Sequence, residues 1–282
     1  MHFVITGSTG YLGTNLLKKF QKADYLYLIV RNKKKAHTLL EGLNIKNFNL
    51  YYFNELTILK KKLKKNKIFF IHLATNYGRN SESFFEILKA NTITPMRLIF
   101  YFKKNISFFL NIDTTLNPLI NRYSFTKFLF KKIISLSPGL KTVNVRFDFM
   151  YGPENYSSFI FKFIKDCMRN DEIYLTDGSQ IRNFIFIDDL ISAIFLIINY
   201  VSSNKVNKNI SFDIGSDKCK LKLKTFLNEV KNQAKSMSIL KFGYLPRRKF
   251  EADNPKLNFK NINLLGWHPK YHFKLGIKKV IN

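Results

Sequence analysis

The segment from residue 2 to residue 22 constrains the fold more than any other. It reads as an apolar strand, "HFVIT", a glycine turn, "GSTGYLG", and an amphipathic helix, "TNLLKKFQK". The spacing of Gly7, Gly10 and Gly13 differs by one residue from G-x-G-x-x-G, yet the same physics applies. Gly7 permits a tight turn, Gly10 lets the backbone approach a pyrophosphate, and Gly13 lets helix and strand pack closely. Because a helix N-terminus also attracts anions, the segment predicts a dinucleotide-binding turn.

Apolar strands alternate with amphipathic helices up to residue 147. Strands that are apolar throughout are buried on both faces, which is typical of a parallel sheet covered by helices on both sides. The sequence therefore predicts an α/β, Rossmann-like doubly wound parallel sheet, whose ligands bind beyond the carboxyl ends of the strands. The predicted strands are "HFVIT", "YLYLIV", "FNLYYF", "IFFIHLAT", "ISFFLNIDT" and "TVNVRF", and the longer predicted helices cover about 34–43, 81–104 and 121–137.

The formal net charge of +28 raises the question of a nucleic-acid or membrane partner. The charge comes from 38 lysines and only 9 arginines, scattered along the whole chain. Arginine is the better reader of bases and phosphates, so dispersed lysine indicates a solvated surface, and we expect no nucleic acid and no membrane as partner. The longest apolar run, Leu190 to Val201, is too short to span a bilayer, and Cys167 and Cys219 lack metal-type spacing. A cytoplasmic protein without a metal site is expected.

Three residues near the fifth predicted strand could carry a reaction. Thr114 stands at the carboxyl end of that strand, and "YSFTK" follows nine residues later. Tyr123 and Lys127 are four apart on a predicted helix, so they share one face. A nearby ammonium lowers the pKa of a phenol and makes Tyr123 a usable proton donor, while the Thr114 hydroxyl can hold a substrate oxygen.

The chain resembles the extended short-chain dehydrogenases/reductases, the NAD-dependent epimerase/dehydratase family, over nearly its entire length. Within that group it is most similar to the CDP-paratose and CDP-abequose synthases, through "ATNYGRNSE", "ANTITPMRL" and the short link between Thr114 and Tyr123. Those enzymes reduce the C4 ketone of a CDP-4-keto-3,6-dideoxyhexose with NADPH, for O-antigen assembly. The motifs in family order are "TGSTGYLG", "HLA", Asn91, Thr114, "YSFTK", "VRFDFMYGP", "DGSQIRNFIFIDDL", "FDIGS" and "LGWHP".

The resemblance implies a role for each matching residue. Tyr123 would be the general acid, Lys127 would lower its pKa and hold the nicotinamide ribose, and Thr114 would hydrogen-bond the sugar carbonyl. Phe147 would lie by the nicotinamide, and Arg182 and Arg248 would bind the nucleotide-sugar diphosphate. The cofactor would further contact Gly7, Gly10, Tyr11, Leu12, Gly13, Leu73, Ala74 and Thr75.

Departures from the family pattern help to choose among its chemistries. The 4,6-dehydratases carry an acidic pair after the catalytic threonine, where this chain has Thr115 and Leu116, so dehydration is not expected. The 4-epimerases keep NAD bound, and typically place an acid after the second strand to bind the adenosine ribose. Here Arg31 and Asn32, with one lysine of 33–35, would instead attract a 2′-phosphate. This favours NADP(H) over NAD(H) as cofactor, and therefore net reduction over epimerisation.

The predicted organisation is a Rossmann domain of residues 1–150 and about 182–215, with a smaller, discontinuous nucleotide-sugar lobe of about 151–181 and 216–282. By resemblance, the helices near 81–104 and 121–137 would pair with those of a second subunit in a homodimer. The predicted activity is NADPH-dependent reduction of the C4 ketone of a nucleotide-linked 4-keto-deoxyhexose in surface polysaccharide biosynthesis. A nucleotide-sugar 4-epimerase with tightly bound NAD is the first alternative, and a non-enzymatic, NADP-sensing protein that binds nucleic acid is a remote one.

Overall fold

The computed structural model of the chain describes residues 1–203, 209–247 and 253–281. Its main feature is a seven-stranded sheet with the order β10-β6-β5-β4-β1-β2-β3, in which the pairs from β3 through β6 are parallel. This confirms the predicted Rossmann-like α/β fold. The strand order reverses between β1 and β4, so the connections that leave their carboxyl ends run in opposite directions along the sheet and open a crevice, the usual ligand position in such sheets. The strands are β1 (His2–Thr6), β2 (Tyr25–Ile29), β3 (Phe48–Tyr51), β4 (Ile68–His72), β5 (Ile106–Ile112), β6 (Thr142–Arg146) and β10 (Ile210–Asp213).

The helices of this part of the chain alternate with the strands as predicted. The predicted helix at 81–104 consists of α4, a π-helical segment from Lys89 to Ile93, and α5, which follow one another without a break. A π-helical turn inside an α-helix frequently marks a functional position, and this one carries Asn91. The helices are α1 (Tyr11–Leu17), α2 (Lys33–Gly42), α3 (Leu56–Leu63), α4 (Phe84–Leu88), α5 (Thr94–Phe102) and α6 (Arg122–Ser135).

The later residues add shorter strands and further helices. A three-stranded sheet has the order β11-β9-β7, and β12 pairs with β8 in a two-stranded sheet. No helix within the described ranges is long and apolar enough to cross a membrane. These elements are β7 (Phe149–Tyr151), α7 (Phe159–Met168), β8 (Glu172–Tyr174), β9 (Ile181–Phe186), α8 (Ile187–Ser203), β11 (Lys220–Lys222), α9 (Leu223–Gln233), β12 (Ile239–Lys241), α10 (Lys260–Leu264) and α11 (Phe273–Ile281).

The chain divides into two compact units. The first contains residues 1–114, 121–145 and 204–211, and the second contains 115–120, 146–203 and 212–282. Residues 182–203, which the sequence prediction placed in the Rossmann domain, group with the second unit, because β9 pairs with β7 and β11 and leads directly into α8. The first unit buries an apolar core between the sheet and its helices, including Val4, Leu59, Phe70, Phe109 and Phe130.

The glycine turn after β1 leaves no room for a larger residue at Gly13. A Cβ atom there would overlap the carbonyl oxygen of Gly7 and approach the Cα of Ser8 to 2.7 Å. At Gly42, the last position of α2, a Cβ atom would have no heavy atom within 4 Å. The turn therefore depends on the close approach of α1 to the backbone of Gly7 and Ser8.

We predict that Gly13→Ala lowers the free energy of unfolding by roughly 1–3 kcal/mol, because the backbone must shift to admit the methyl group. Gly42→Ala is the matched control and should be neutral or slightly stabilising, since its methyl group meets nothing and alanine favours helix. Urea unfolding of both variants is the measurement. Equal stability of the two variants would contradict the close approach.

Candidate active site

The carboxyl ends of β1 and β4 meet beside the glycine turn. Gly7 has φ +76°, and a Cβ there would lie 2.5 Å from the backbone nitrogen of Ala74 and 2.7 Å from the carbonyl carbon of Leu73. The backbone of the turn therefore presses directly against the residues that follow β4. The Ser8 side chain is buried, and its hydroxyl has no hydrogen-bond partner among the described residues. A pyrophosphate beside this turn would meet exposed backbone and a hydroxyl that needs a partner, so the segment fits a dinucleotide.

The other residues predicted to hold the cofactor surround this turn. Gly10 is exposed and is the N-cap of α1, whose first turn contains Tyr11, Leu12 and Gly13. Thr75 is half-buried three residues after the end of β4. The structure thus brings the predicted glycine-turn and β4 residues to the point where the strand order reverses.

At the end of β2, the basic residues have different environments. The Arg31 side chain is exposed and has no hydrogen bond or ion pair with any described residue. The Asn32 side chain caps α2 by accepting from the backbone N–H of Lys35 at 2.9 Å. Lys33 forms an ion pair with Glu55 and lies over the ring of Tyr52. Arg31, Lys34 and Lys35 are therefore the residues of this segment whose charges stay available to an anion.

Tyr123 lies in the first turn of α6, beside the end of β5. Its hydroxyl is hydrogen-bonded to the side chain of Thr114. Burial raises the pKa of Tyr123, and nearby Tyr77 and Asp113 raise it further, whereas Thr114 and Arg79 oppose the shift. The sequence led us to expect a lowered pKa. The difference arises because loss of hydration, together with Tyr77 and Asp113, outweighs the Thr114 hydrogen bond and the Arg79 charge.

Lys127 is buried on the same helix, with 1% of its surface exposed. Its ammonium donates to the Asn111 side-chain oxygen at 3.4 Å. Loss of hydration lowers the pKa of Lys127 to about 8, against the attraction of Asp113. A strongly shifted pKa of this kind, beside the end of a strand, is typical of a functional site.

A row of polar side chains crosses the sheet beneath Lys127. Strand register places Thr6 beside His72, His72 beside Asn111, and Asn111 beside Asn144. The Thr6 hydroxyl lies 2.7 Å from the His72 Nδ1 atom, and the Asn111 amide donates to the Asn144 oxygen at 3.1 Å. All four side chains are buried, and burial together with Lys127 lowers the pKa of His72 well below its ordinary value. Sequence reasoning missed this row, although asparagines inside otherwise apolar strands were its visible signal.

The loop after β4 is fastened to α6 through Asn91. The buried Asn91 side chain accepts from the backbone N–H of Asn76 at 2.8 Å and donates to the Asn76 carbonyl at 2.8 Å. It also donates to the Thr126 hydroxyl at 3.1 Å. The loop then carries Tyr77, whose ring centre is 5.0 Å from that of Tyr123. Sequence reasoning did not identify this aromatic neighbour of Tyr123.

In the second unit, Arg182 is half-buried on β9, and its positive charge lowers the pKa of the Asp148 carboxyl group. Burial raises the pKa of Asp148 to about 6, while a hydrogen bond from the Asn183 backbone and the Arg182 charge oppose the rise. Phe147 is half-buried directly after β6. Arg248 lies outside the described residues. Its neighbour Arg247 contacts both carboxylate oxygens of Asp177, at 2.7 and 3.0 Å.

The cysteines and other metal-ligating residues are dispersed. Nowhere in the described part of the chain do three or more His, Cys, Asp or Glu residues come together in a way that could hold a metal ion. Cys167 is buried in α7, and burial raises the pKa of its thiol to about 11. A buried thiol with a raised pKa is a poor nucleophile and packs as a small apolar side chain.

The fold, the glycine turn and the paired tyrosine and lysine define a nicotinamide-dependent oxidoreductase or epimerase. The chain belongs to the NAD dependent epimerase/dehydratase family, since the sequence model of that family matches residues 3–215. This confirms the resemblance seen in the sequence, and it identifies an enzyme that modifies nucleotide sugars.

Individual relatives agree with this assignment. The chain is 27% identical to a CDP-abequose synthase of Salmonella typhimurium, over 99% of this chain and 97% of that protein. It is 24% identical to a CDP-abequose synthase of Yersinia pseudotuberculosis, over 100% and 98% of the two chains. Among solved structures, UDP-glucuronic acid 4-epimerase of Bacillus cereus, bound to UDP-glucuronic acid and NAD, matches with a TM-score of 0.84 at 18% identity, covering 100% and 98%. At that identity, the structural likeness shows the shared fold.

The buried lysine predicts a pH-dependent cost to stability. Below about pH 8, Lys127 is protonated in both the folded and the unfolded chain, so the folded state bears the full cost of burying the charge. The cost falls as the pH rises from about 8 towards about 10.5, where the unfolded lysine also loses its proton. Lys127→Met should therefore raise the free energy of unfolding at pH 7 by roughly 2–3 kcal/mol.

Denaturant unfolding at several pH values is the measurement. The gain from Lys127→Met should shrink as the pH rises above 8. Lys132→Met, at the next exposed lysine of α6, is the control and should change stability by less than about 0.5 kcal/mol. Equal stability of Lys127→Met and wild type at pH 7 would contradict the buried charge.

Proposed function

We propose that the protein reduces the C4 ketone of a nucleotide-linked 4-keto-deoxyhexose with NADPH, in surface polysaccharide biosynthesis. The observation that carries this proposal is the hydrogen bond between Thr114 and Tyr123, at the carboxyl end of β5, with the buried Lys127 one helical turn away. The similarity to CDP-abequose synthases over the full length of the chain supports the substrate class.

The reaction needs a hydride at C4 and a proton at the carbonyl oxygen. The reduced nicotinamide, when bound, supplies the hydride. Tyr123 gives its hydroxyl proton to the developing alkoxide, and Thr114 holds the same oxygen by a hydrogen bond. Lys127 binds the nicotinamide ribose and favours the phenolate of Tyr123 by its positive charge. The Thr114 hydrogen bond and the Arg79 charge oppose the pKa increase that burial causes. The product is the C4 alcohol.

The cofactor is held by the residues around the point where the strand order reverses. The glycine turn binds the pyrophosphate through its backbone, with Gly7 and Gly13 permitting the approach. Phe147 lies against the nicotinamide. Arg31 binds the 2′-phosphate of NADP(H), because it is a free cation at the end of β2, and Asn32 assists through its amide nitrogen. Tyr11, Leu12, Leu73, Ala74 and Thr75 line the cofactor.

The substrate diphosphate is bound by Arg182 and Arg248. The Arg182 charge reaches Asp148, whose pKa it lowers against the effect of burial. In this proposal the first unit is the NADP-binding domain, the second unit binds the nucleotide sugar, and the enzyme acts as a homodimer in the cytoplasm. Analytical ultracentrifugation would test the dimer, and a single monomeric species at micromolar concentration would refute it.

Removing the Tyr123 hydroxyl should abolish turnover and leave cofactor binding intact. With NADPH and a nucleotide-linked 4-keto-3,6-dideoxyhexose, Tyr123→Phe should lower kcat by roughly 100-fold or more, because general-acid catalysis contributes a factor of this size. The Kd for NADPH, measured by fluorescence, should change by less than about threefold. Tyr101→Phe is the control, since its hydroxyl bonds Thr57 on a different helix. Full activity of Tyr123→Phe would contradict the proposed role of Tyr123 as the general acid.

The Arg31 proposal predicts a change in cofactor preference. Arg31→Asp should lower the kcat/KM ratio of NADPH to NADH by roughly 10- to 100-fold, because a charge-assisted contact is lost and a repulsive one is added. Lys62→Asp makes the same change of charge on an exposed position of α3 and should leave the ratio unchanged. Steady-state kinetics with both cofactors is the measurement. An unchanged ratio in Arg31→Asp would refute the proposal that Arg31 binds the 2′-phosphate.

A further inference from the structure

A buried ion pair lies beside the proposed reaction centre. Asp113 stands between β5 and Thr114, and its side chain is 4% exposed. The Lys131 ammonium lies 3.0 Å from its Oδ2 atom, with one third of the Lys131 side chain exposed. Neither residue has a role in the mechanism proposed above, yet the carboxylate adjoins the threonine that holds the substrate oxygen.

Helix α6 presents two lysines to this single carboxylate. Tyr123, Lys127 and Lys131 follow one another at intervals of four residues, so all three lie along one face of the helix. The Asp113 charge acts on the first two, since it raises the pKa of Tyr123 and that of Lys127. A buried carboxylate requires a cation close by, and either lysine could supply it. In the structure Lys131 is the ion-pair partner, and Lys127 bonds the neutral Asn111 side chain.

We propose that Lys131 is a positioning residue that forms the ion pair with Asp113 in place of Lys127. Lys127 is thereby kept directed at Asn111 and can bind the cofactor ribose. This inference rests on the proposed role of Tyr123 and Lys127 as the reacting pair. Without Lys131, the buried carboxylate would attract the Lys127 ammonium. The same unpaired negative charge would oppose formation of the Tyr123 phenolate, which is needed once the proton has been given to the substrate.

The groups that face the two reacting residues determine the direction of the expected effects. Around Tyr123 these are Tyr77, Arg79, Asp113 and Thr114, and around Lys127 they are Asp113, His72 and Asn111. Among them, Asp113 is the negative charge that Lys131 neutralises. Removal of Lys131 should therefore raise the titration midpoints of Tyr123 and Lys127, and removal of the Asp113 charge should lower them.

The test is a cycle of three variants: Lys131→Met, Asp113→Asn and the double variant. Lys127 is titrated by carbon NMR of 13Cε-labelled lysine, with and without NADPH, and kcat is followed against pH with the 4-keto sugar nucleotide. Lys131→Met should raise the Lys127 midpoint by about one pH unit and lower kcat at pH 7 about tenfold. Asp113→Asn should lower the midpoint. The double variant should recover kcat to within about threefold of wild type, because no unpaired charge remains.

The control and the opposing results separate this role from a structural one. Lys132→Met, on the exposed side of α6, should change neither midpoint nor kcat. If the ion pair served stability alone, Lys131→Met would unfold more readily but keep the wild-type midpoint, and the double variant would recover no activity. Either result would overturn the inference.

Two further outcomes are decided by the same data. If Lys131→Met fails to fold, Asp113→Asn and the double variant remain, and a Lys127 midpoint unchanged in both would overturn the inference. If the wild type reduces no 4-keto sugar nucleotide, the proposed function fails, while the Lys127 titration still supports or refutes the role of Lys131.

Discussion

The burial of the Lys127 ammonium is the constraint on which the site depends. A charge with 1% exposure is tolerated only where polar groups replace its water, and here these are Asn111 directly and Asn144 behind it. Both asparagines interrupt strands that are otherwise apolar, so the sheet itself is adapted to the lysine. The helix that carries Lys127 must then lie against β5, which places Tyr123 beside Thr114.

The π-helical segment provides a second constraint on the site, because it carries Asn91. Asn91 uses its whole amide group to hold the Asn76 backbone and the Thr126 hydroxyl, and thereby ties the loop after β4 to α6. A regular α-helix would direct position 91 elsewhere, since a π-turn inserts one additional residue per turn. The glycine turn, the β4 loop and the tyrosine helix are thus joined by backbone contacts and by one buried amide, and the reacting groups are held on rigid elements.

Much of this arrangement could be predicted from the sequence. The glycine turn and the alternation of strands and helices predicted the fold, because hydrophobic periodicity and glycine positions are local signals. The Tyr123–Lys127 spacing predicted a shared face for the same reason. The Asn111–Asn144 contact and the Asp113–Lys131 ion pair could not be predicted, since they depend on strand register and on how α6 packs against β5. The raised pKa of Tyr123 was also missed, because burial of one side chain is not visible in a spacing pattern.

The central claim is net reduction by NADPH, as opposed to epimerisation with a retained NAD. The most direct measurement is the stoichiometry of NADPH oxidation with a nucleotide-linked 4-keto-3,6-dideoxyhexose, combined with NMR of the product and identification of any nucleotide extracted from the purified protein. The account predicts one NADPH oxidised for each C4 alcohol formed, and no retained NAD. Retained NAD, with interconversion of C4 epimers and no consumption of NADPH, would contradict it.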